Sequence, residues 1–149
     1  MTLRELLDAA GIAAPPGDRG RDDVPIAGLA YRSEGVTPGT LFFCVPGFVV
    51  DGHEFAADAV RRGAAALVCE RPLGTDVPEV VVPSVRAAMG PLAAAFHGRP
   101  TAQLRVVGVT GTNGKTTTAF LARHVLEAAG VRTGLLGTVH PFYSGGMPR

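Results

Sequence analysis

The stretch Gly108-Val109-Thr110-Gly111-Thr112-Asn113-Gly114-Lys115-Thr116-Thr117-Thr118 constrains this chain more than any other. An apolar run over residues 104–109, broken by Arg105, leads into it, and a helical pattern over residues 115–129 leads out. Strand, glycine loop, Lys-Thr and helix together are the layout of a phosphate-binding loop. Each residue type has a chemical reason. Glycines allow positive φ and let backbone N–H groups close on phosphate oxygens. The helix N-terminus adds unpaired N–H groups and a positive dipole end. Lys115 is placed to reach β/γ-phosphates as a point charge, and Thr116 to put its hydroxyl on Mg²⁺.

The general pattern G-x-x-x-x-G-K-[ST] asks for glycine at position 109, where Val109 stands. What remains is the shorter Gly111-x-x-Gly114-Lys115-Thr116. Two rivals compete with it. A plain glycine turn with a solvent lysine leaves the coincidence of strand, glycines, Lys-Thr and helix unexplained. A dinucleotide fingerprint needs G-x-G-x-x-G and an acidic residue about 20 positions on. The glycines here run 108, 111, 114, and no such acidic residue follows.

The remainder reads as an α/β protein. Thr2-Leu3-Arg4-Glu5 is a capping box; Leu3, Leu6, Leu7 and Ala10 share a helical face, and Gly11 stops the helix. Residues 13–23 are rich in Pro, Gly and charge and read as a loop. Strands are expected over 26–31, 41–45, 65–69 and 79–82, with Pro38-Gly39 a turn. A helix over 53–62 turns Phe55, Ala56, Ala59 and Val60 inward. Ser84 caps another, with Val85, Met89, Leu92, Ala93 and Phe96 on one face. Phe42, Phe55, Leu67, Val81, Leu92 and Phe96 are expected to share a core. Strand–helix alternation implies parallel pairing in an α/β sandwich. His97-Gly98-Arg99-Pro100-Thr101 reads as a hinge, dividing a domain at 1–99 from a second unit at 103–149. That unit holds the strand, loop and helix, a Gly130 cap and a strand over 133–139. Residues 145–149 carry no structural signal.

Nearly half the 149 residues are apolar (46%) and 18% are charged, enough for a real core. A net charge of +1 does not suggest nucleic acid or anionic membrane as a partner. No signal peptide or membrane span is recognisable, so a cytoplasmic protein is expected. Cys44 and Cys69 read as buried free thiols. His53, His97, His124 and His140 show no metal-ligand spacing, and His53-Glu54 does not continue to H-E-x-x-H. His53 reads as closing a turn and capping the helix after it.

Thr110-Gly111-Thr112-Asn113-Gly114-Lys115-Thr116-Thr117 resembles the ATP loop of the Mur ligases, in which Val or Ile at position 109 is normal. These enzymes add amino acids to the peptide of the peptidoglycan precursor. A second resemblance lies in residues 29–55. There Tyr31-Arg32-Ser33-Glu34, Val36-Thr37-Pro38-Gly39, Leu41-Phe42, Pro46-Gly47 and Asp51-Gly52-His53-Glu54-Phe55 follow the N-terminal domain of the members that add the third residue or the terminal dipeptide. The family's Asp and Arg flanking the serine are Arg32 and Glu34 here, a reversal of charge.

The resemblance implies a UDP-sugar-binding domain followed by the start of an ATP domain. It implies ATP contacts at Gly111, Thr112, Asn113, Gly114, Lys115, Thr116 and Thr117, with Mg²⁺ on Thr116. It implies UDP-sugar contacts at Tyr31, Ser33, Phe48, Val49 and Val50, read beside the alternatives of a turn serine and plain loop packing. The implied reaction is ATP-dependent amide formation through an acyl phosphate, adding the third residue to a UDP-N-acetylmuramoyl dipeptide. Open alternatives are the dipeptide-adding branch and a non-catalytic nucleotide-binding remnant. No residue of this chain is singled out as catalytic. The rest of the catalytic apparatus and a C-terminal domain are expected in cis or in trans, the 149 residues alone being expected to make no amide bond and to bind ATP weakly.

Overall fold

The computed structural model describes residues 1–13, 23–137 and the backbone of 142–143. Contacts divide the chain into two units, Met1–Leu104 and Arg105–Arg149.

The first unit is built on a parallel sheet of order β1-β2-β3-β4: Gly28–Ala30, Thr40–Phe43, Ala64–Cys69 and Glu79–Val81. Helices α1 (Leu3–Ala10), α2 (Ala56–Arg61) and α3 (Val85–Phe96) cover it. Side chains along a strand alternate between faces. Leu41, Phe43, Ala66, Val68 and Val80 therefore join Leu3, Leu6, Leu7, Val85 and Leu92 on one side. Phe42, Cys44, Leu67 and Cys69 join Ala56 and Ala59 on the other. A strand buried on both faces has no polar positions, which explains the continuous apolar run at 41–45.

The helix ends follow their local chemistry. The Thr2 hydroxyl accepts the Glu5 amide at 3.2 Å, and a Glu5 carboxylate oxygen accepts the Thr2 amide at 2.8 Å. Gly11 closes α1 at φ 69°, a conformation that favours glycine. The Ser84 hydroxyl caps α3 through the Ala87 amide. Within α3, Gly90 precedes Pro91, where a Cβ would crowd the proline ring. Past α3, Arg99 takes a left-handed backbone (φ 54°), and its guanidinium donates to the Ala9 carbonyl at the end of α1.

Two expected core residues are on the surface. Phe55 is 43% exposed because residues Gly52–Phe55 form a 3₁₀ turn ahead of α2. Residues three apart eclipse in that turn, so His53 and Ala56 face inward and Phe55 outward. Val81 is 46% exposed because β4 is the sheet edge, and the core takes its neighbours Val80 and Val82. Phe42, Leu67 and Leu92 are buried as expected, but on two faces rather than in one core.

The second unit carries helix α4 (Lys115–Ala128) and an antiparallel pair, β5 (Gly134–Leu135) with β6 (Phe142–Tyr143). Gly130 takes φ 78° after α4. The strand expected over 104–109 is not formed. A strand exists only where a neighbour pairs its N–H and C=O groups. Among the described residues none pairs with this segment, and Leu104, Val106 and Val107 lie exposed. The strand expected over 133–139 is seen at Gly134–Leu135; its end beyond 137 and the tail at 145–149 lie outside the described residues, as do 14–22 of the expected loop. Among the described residues no helix is long and apolar enough to cross a membrane.

Candidate functional site

Because β1–β4 are all parallel, the segments that follow them emerge at one edge of the sheet. Ligand crevices of open α/β sheets form outside the carboxyl ends of strands. After β1 come Tyr31, Arg32 and Ser33; after β2, residues 44–51; after β3, Glu70 and Arg71; after β4, Ser84 and the start of α3.

The segment after β2 is a tight reversal. Pro46 and Asp51 form an antiparallel bridge. The Gly47 amide donates to the Val50 carbonyl, and the Gly52 amide to the Val45 carbonyl, both at 3.0 Å. At its tip Phe48 and Val49 are fully exposed and Val50 half-exposed. Tyr31 is exposed as well, with the Arg32 guanidinium 5.8 Å from its ring centre. Ser33 differs: it is 8% exposed and opens a 3₁₀ turn, Ser33–Gly35, while Arg61 and Arg62 both donate to the Asp58 carboxylate. Arg62, Ser33 and Arg61 hold that carboxylate below its ordinary range against the effect of burial.

Beneath the tip, Asp51 and His53 of the Asp-Gly-His motif join a polar network whose bonds the motif itself does not reveal. His53, 5% exposed, bonds Asp51 Oδ1 through Nδ1 at 2.6 Å, while its Nε2 accepts the Glu70 amide at 2.9 Å. With Nε2 an acceptor, the ring proton sits on Nδ1 and is donated to Asp51. His53 thus does more than close a turn; Asp51, accepting the His53 amide at 3.0 Å, is the cap of the following 3₁₀ turn. Arg71 donates to Asp51 Oδ2 at 2.8 Å, and Arg86 to the Pro46 carbonyl at 2.8 Å. The His53 amide, then Arg71 and the imidazole, hold the Asp51 carboxyl well below the carboxylate range. The adjoining thiols are pushed up, Cys44 to about 12 and Cys69 to about 11, first by burial. The signal for the network was the short spacing Asp51-x-His53; its arginine partners lie 20 and 40 residues away.

In the second unit, Gly111 (φ 148°) and Gly114 (φ 75°) turn the loop into α4. Gly114 is the N-cap, and no side chain caps the helix. The first helical bond is from the Thr118 amide to the Gly114 carbonyl. Lys115 Nζ donates to the Gly111 carbonyl at 2.6 Å and lies 3.4 Å from that of Thr112. Gly111, Thr112, Asn113, Gly114, Lys115, Thr116 and Thr117 are all exposed. This arrangement can receive an anion: an uncapped helix start, glycines that admit close approach, and an ammonium at the same turn.

Two family models match the chain: "Mur ligase family, catalytic domain" over residues 25–97 and "Mur ligase middle domain" over residues 109–144. The UDP-N-acetylmuramoyl-L-alanyl-D-glutamate–2,6-diaminopimelate ligase of Geobacillus thermodenitrificans is 59% identical over 114 residues, 76% of this chain and 23% of that protein. A solved structure of a UDP-N-acetylmuramoyl-L-alanyl-D-glutamate–2,6-diaminopimelate ligase matches with TM-score 0.75 and 26% identity, covering 99% of this chain and 30% of that one. The MurF ligase of Thermotoga maritima, solved with ADP, matches with TM-score 0.54 and 32% identity over 70% of this chain and 24% of that one. The chain belongs to the Mur ligase family. It spans about a quarter of the length of the curated relatives it matches.

Proposed function

We propose that this chain forms the UDP-sugar site and the ATP loop of a ligase that adds the third residue to UDP-N-acetylmuramoyl dipeptide. The observation that carries the reading is the carboxyl edge of the parallel sheet. Tyr31 and Ser33 follow β1 there, and Phe48, Val49 and Val50 follow β2. Exposed aromatic and aliphatic side chains suit the face of a base. The Ser33 hydroxyl can both donate and accept, and so can accept from a uracil N3–H or donate to a carbonyl. Arg32 stands where the family has Asp and supplies positive charge beside a diphosphate.

For ATP, Gly111, Thr112, Asn113 and Gly114 offer backbone N–H groups, Lys115 a charge, and Thr116 and Thr117 hydroxyls. The uncapped start of α4 fits a polyphosphate. Mg²⁺ on the Thr116 hydroxyl would offset phosphate charge when bound. Lys115 would leave the Gly111 carbonyl to face the phosphates. In the whole ligase, the substrate carboxylate is activated as an acyl phosphate and the incoming amine displaces phosphate, with the remaining groups supplied by other domains in cis or in trans. We place the protein in the cytoplasm, with no nucleic-acid or membrane partner.

Calorimetric titration with UDP-N-acetylmuramoyl dipeptide and, separately, with UDP tests the reading. Saturable binding of both at one site is expected. Ser33→Ala should weaken it by about 0.5–1.5 kcal/mol, the net worth of one hydrogen bond. Absence of heat with either ligand would refute the site.

A further inference from the structure

We propose that Arg71, Arg86 and the Asp51–His53 pair are positioning residues, which hold residues 48–50 in the orientation that receives the nucleotide end of the substrate. This rests on the site reading above and adds four residues that the reading does not use.

The tip of the reversal packs on nothing, since Phe48 and Val49 are wholly exposed. Its base, in contrast, is bonded from three sides. Arg86, in the first turn of α3, donates to the carbonyl of Pro46. Arg71, just past β3, donates to the carboxylate of Asp51. His53 grips the other oxygen of the same carboxylate and is itself fixed by the Glu70 amide. Glu70 in turn accepts the Val85 amide at 2.9 Å, tying the network to α3. Pro46 and Asp51 are the two residues of one bridge, so the bonds converge on the pair that sets the loop's direction.

Arg71 helps hold the Asp51 carboxyl low and so adds to stability, but stability alone does not account for both arginines. Both are exposed, and an exposed charged contact contributes little to folding. Nor does holding two large apolar side chains in water benefit the free protein. It does benefit a complex, because a loop already ordered loses less entropy on binding.

The chain contains no tryptophan, so Phe48→Trp would place a single indole at the tip. Three quantities would be measured with Arg71→Met, Arg86→Met, the double variant and Arg71→Lys. They are the anisotropy decay of the indole, the unfolding midpoint, and the affinity for UDP-N-acetylmuramoyl dipeptide in the Phe48 background. The double variant is expected to show wider and faster indole motion and about tenfold weaker binding. Its unfolding midpoint should stay within about 3 °C of the parent, and Arg71→Lys should recover much of the loss. Unchanged motion or unchanged affinity in the double variant would overturn the positioning role. So would affinity that falls only in step with the midpoint. Failure of the unsubstituted chain to bind at all would overturn the site reading, and with it this purpose for the clamp. That failure is visible before any substitution is made.

Discussion

His53 Nε2 accepts the backbone amide of Glu70 at 2.9 Å, joining the 3₁₀ turn that follows β2 to the residue that follows β3. The His53 ring is buried, so its Nε2 cannot readily trade this bond for one to water. His53→Phe keeps a ring of similar size but leaves the Glu70 amide without its partner and takes from Asp51 Oδ1 one of its two donors, the amide of residue 53 remaining. The expected cost is about 1–3 kcal/mol in urea denaturation, and about 2–4 kcal/mol for His53→Ala, which adds a cavity. A His53→Phe protein as stable as the parent would show that the bond carries nothing.

Asp51 sets an acid limb on stability. Its carboxyl is held below the ordinary range by the His53 amide, Arg71 and the imidazole. A depressed folded-state value means the unfolded chain takes up the proton first. The stabilisation is therefore complete above about pH 4, the ordinary carboxylate value, and is lost as pH falls through the lower folded-state value. Asp58 and Glu79 are lowered too and share the limb. Asp51→Asn should flatten part of it, seen as a smaller loss of unfolding free energy below pH 4. An unchanged slope would contradict this assignment.

Cys44 and Cys69 are buried on one face of the sheet, with thiols pushed to about 12 and about 11. Thiolate is the reactive form. An aromatic disulfide reagent at pH 8 should label neither thiol in the folded protein over minutes, and both once denaturant is added. Rapid labelling of the native protein would show that this face opens.

Gly52 approaches the Val45 backbone so closely that a Cβ would strike the Val45 carbonyl and amide. Gly52→Ala should cost about 2–4 kcal/mol, because backbone rather than a flexible side chain must shift. Gly35→Ala is the control, since its Cβ would meet only Ala30 Cβ at 4.0 Å. Equal melting points for the two variants would remove the close approach as the reason for glycine at 52.

Much of the first unit was legible because its signals are local. The Thr2 capping box, the Ser84 cap and the apolar run of β2 each declare themselves within a few residues. Phe55 misled because a 3₁₀ turn shifts helical phase, and Val81 because edge position is a property of the assembled sheet. The run at 104–109 has strand composition, but a strand also needs a neighbour. In the candidate site, Tyr31, Ser33 and residues 48–50 were visible by motif. The bonds from Arg71 and Arg86 reach across 20 and 40 residues, and only folding brings those partners together.

The central claim is that the carboxyl edge of the parallel sheet takes the UDP-sugar. It is tested most directly by amide chemical-shift mapping of the labelled 149-residue chain during titration with UDP-N-acetylmuramoyl dipeptide. The account predicts saturable shifts concentrated at Tyr31, Arg32 and Ser33, at residues 47–52, and at Glu70 and Arg71, with α1 unmoved. Shifts that cluster elsewhere in the first unit, or none at millimolar ligand, would contradict it.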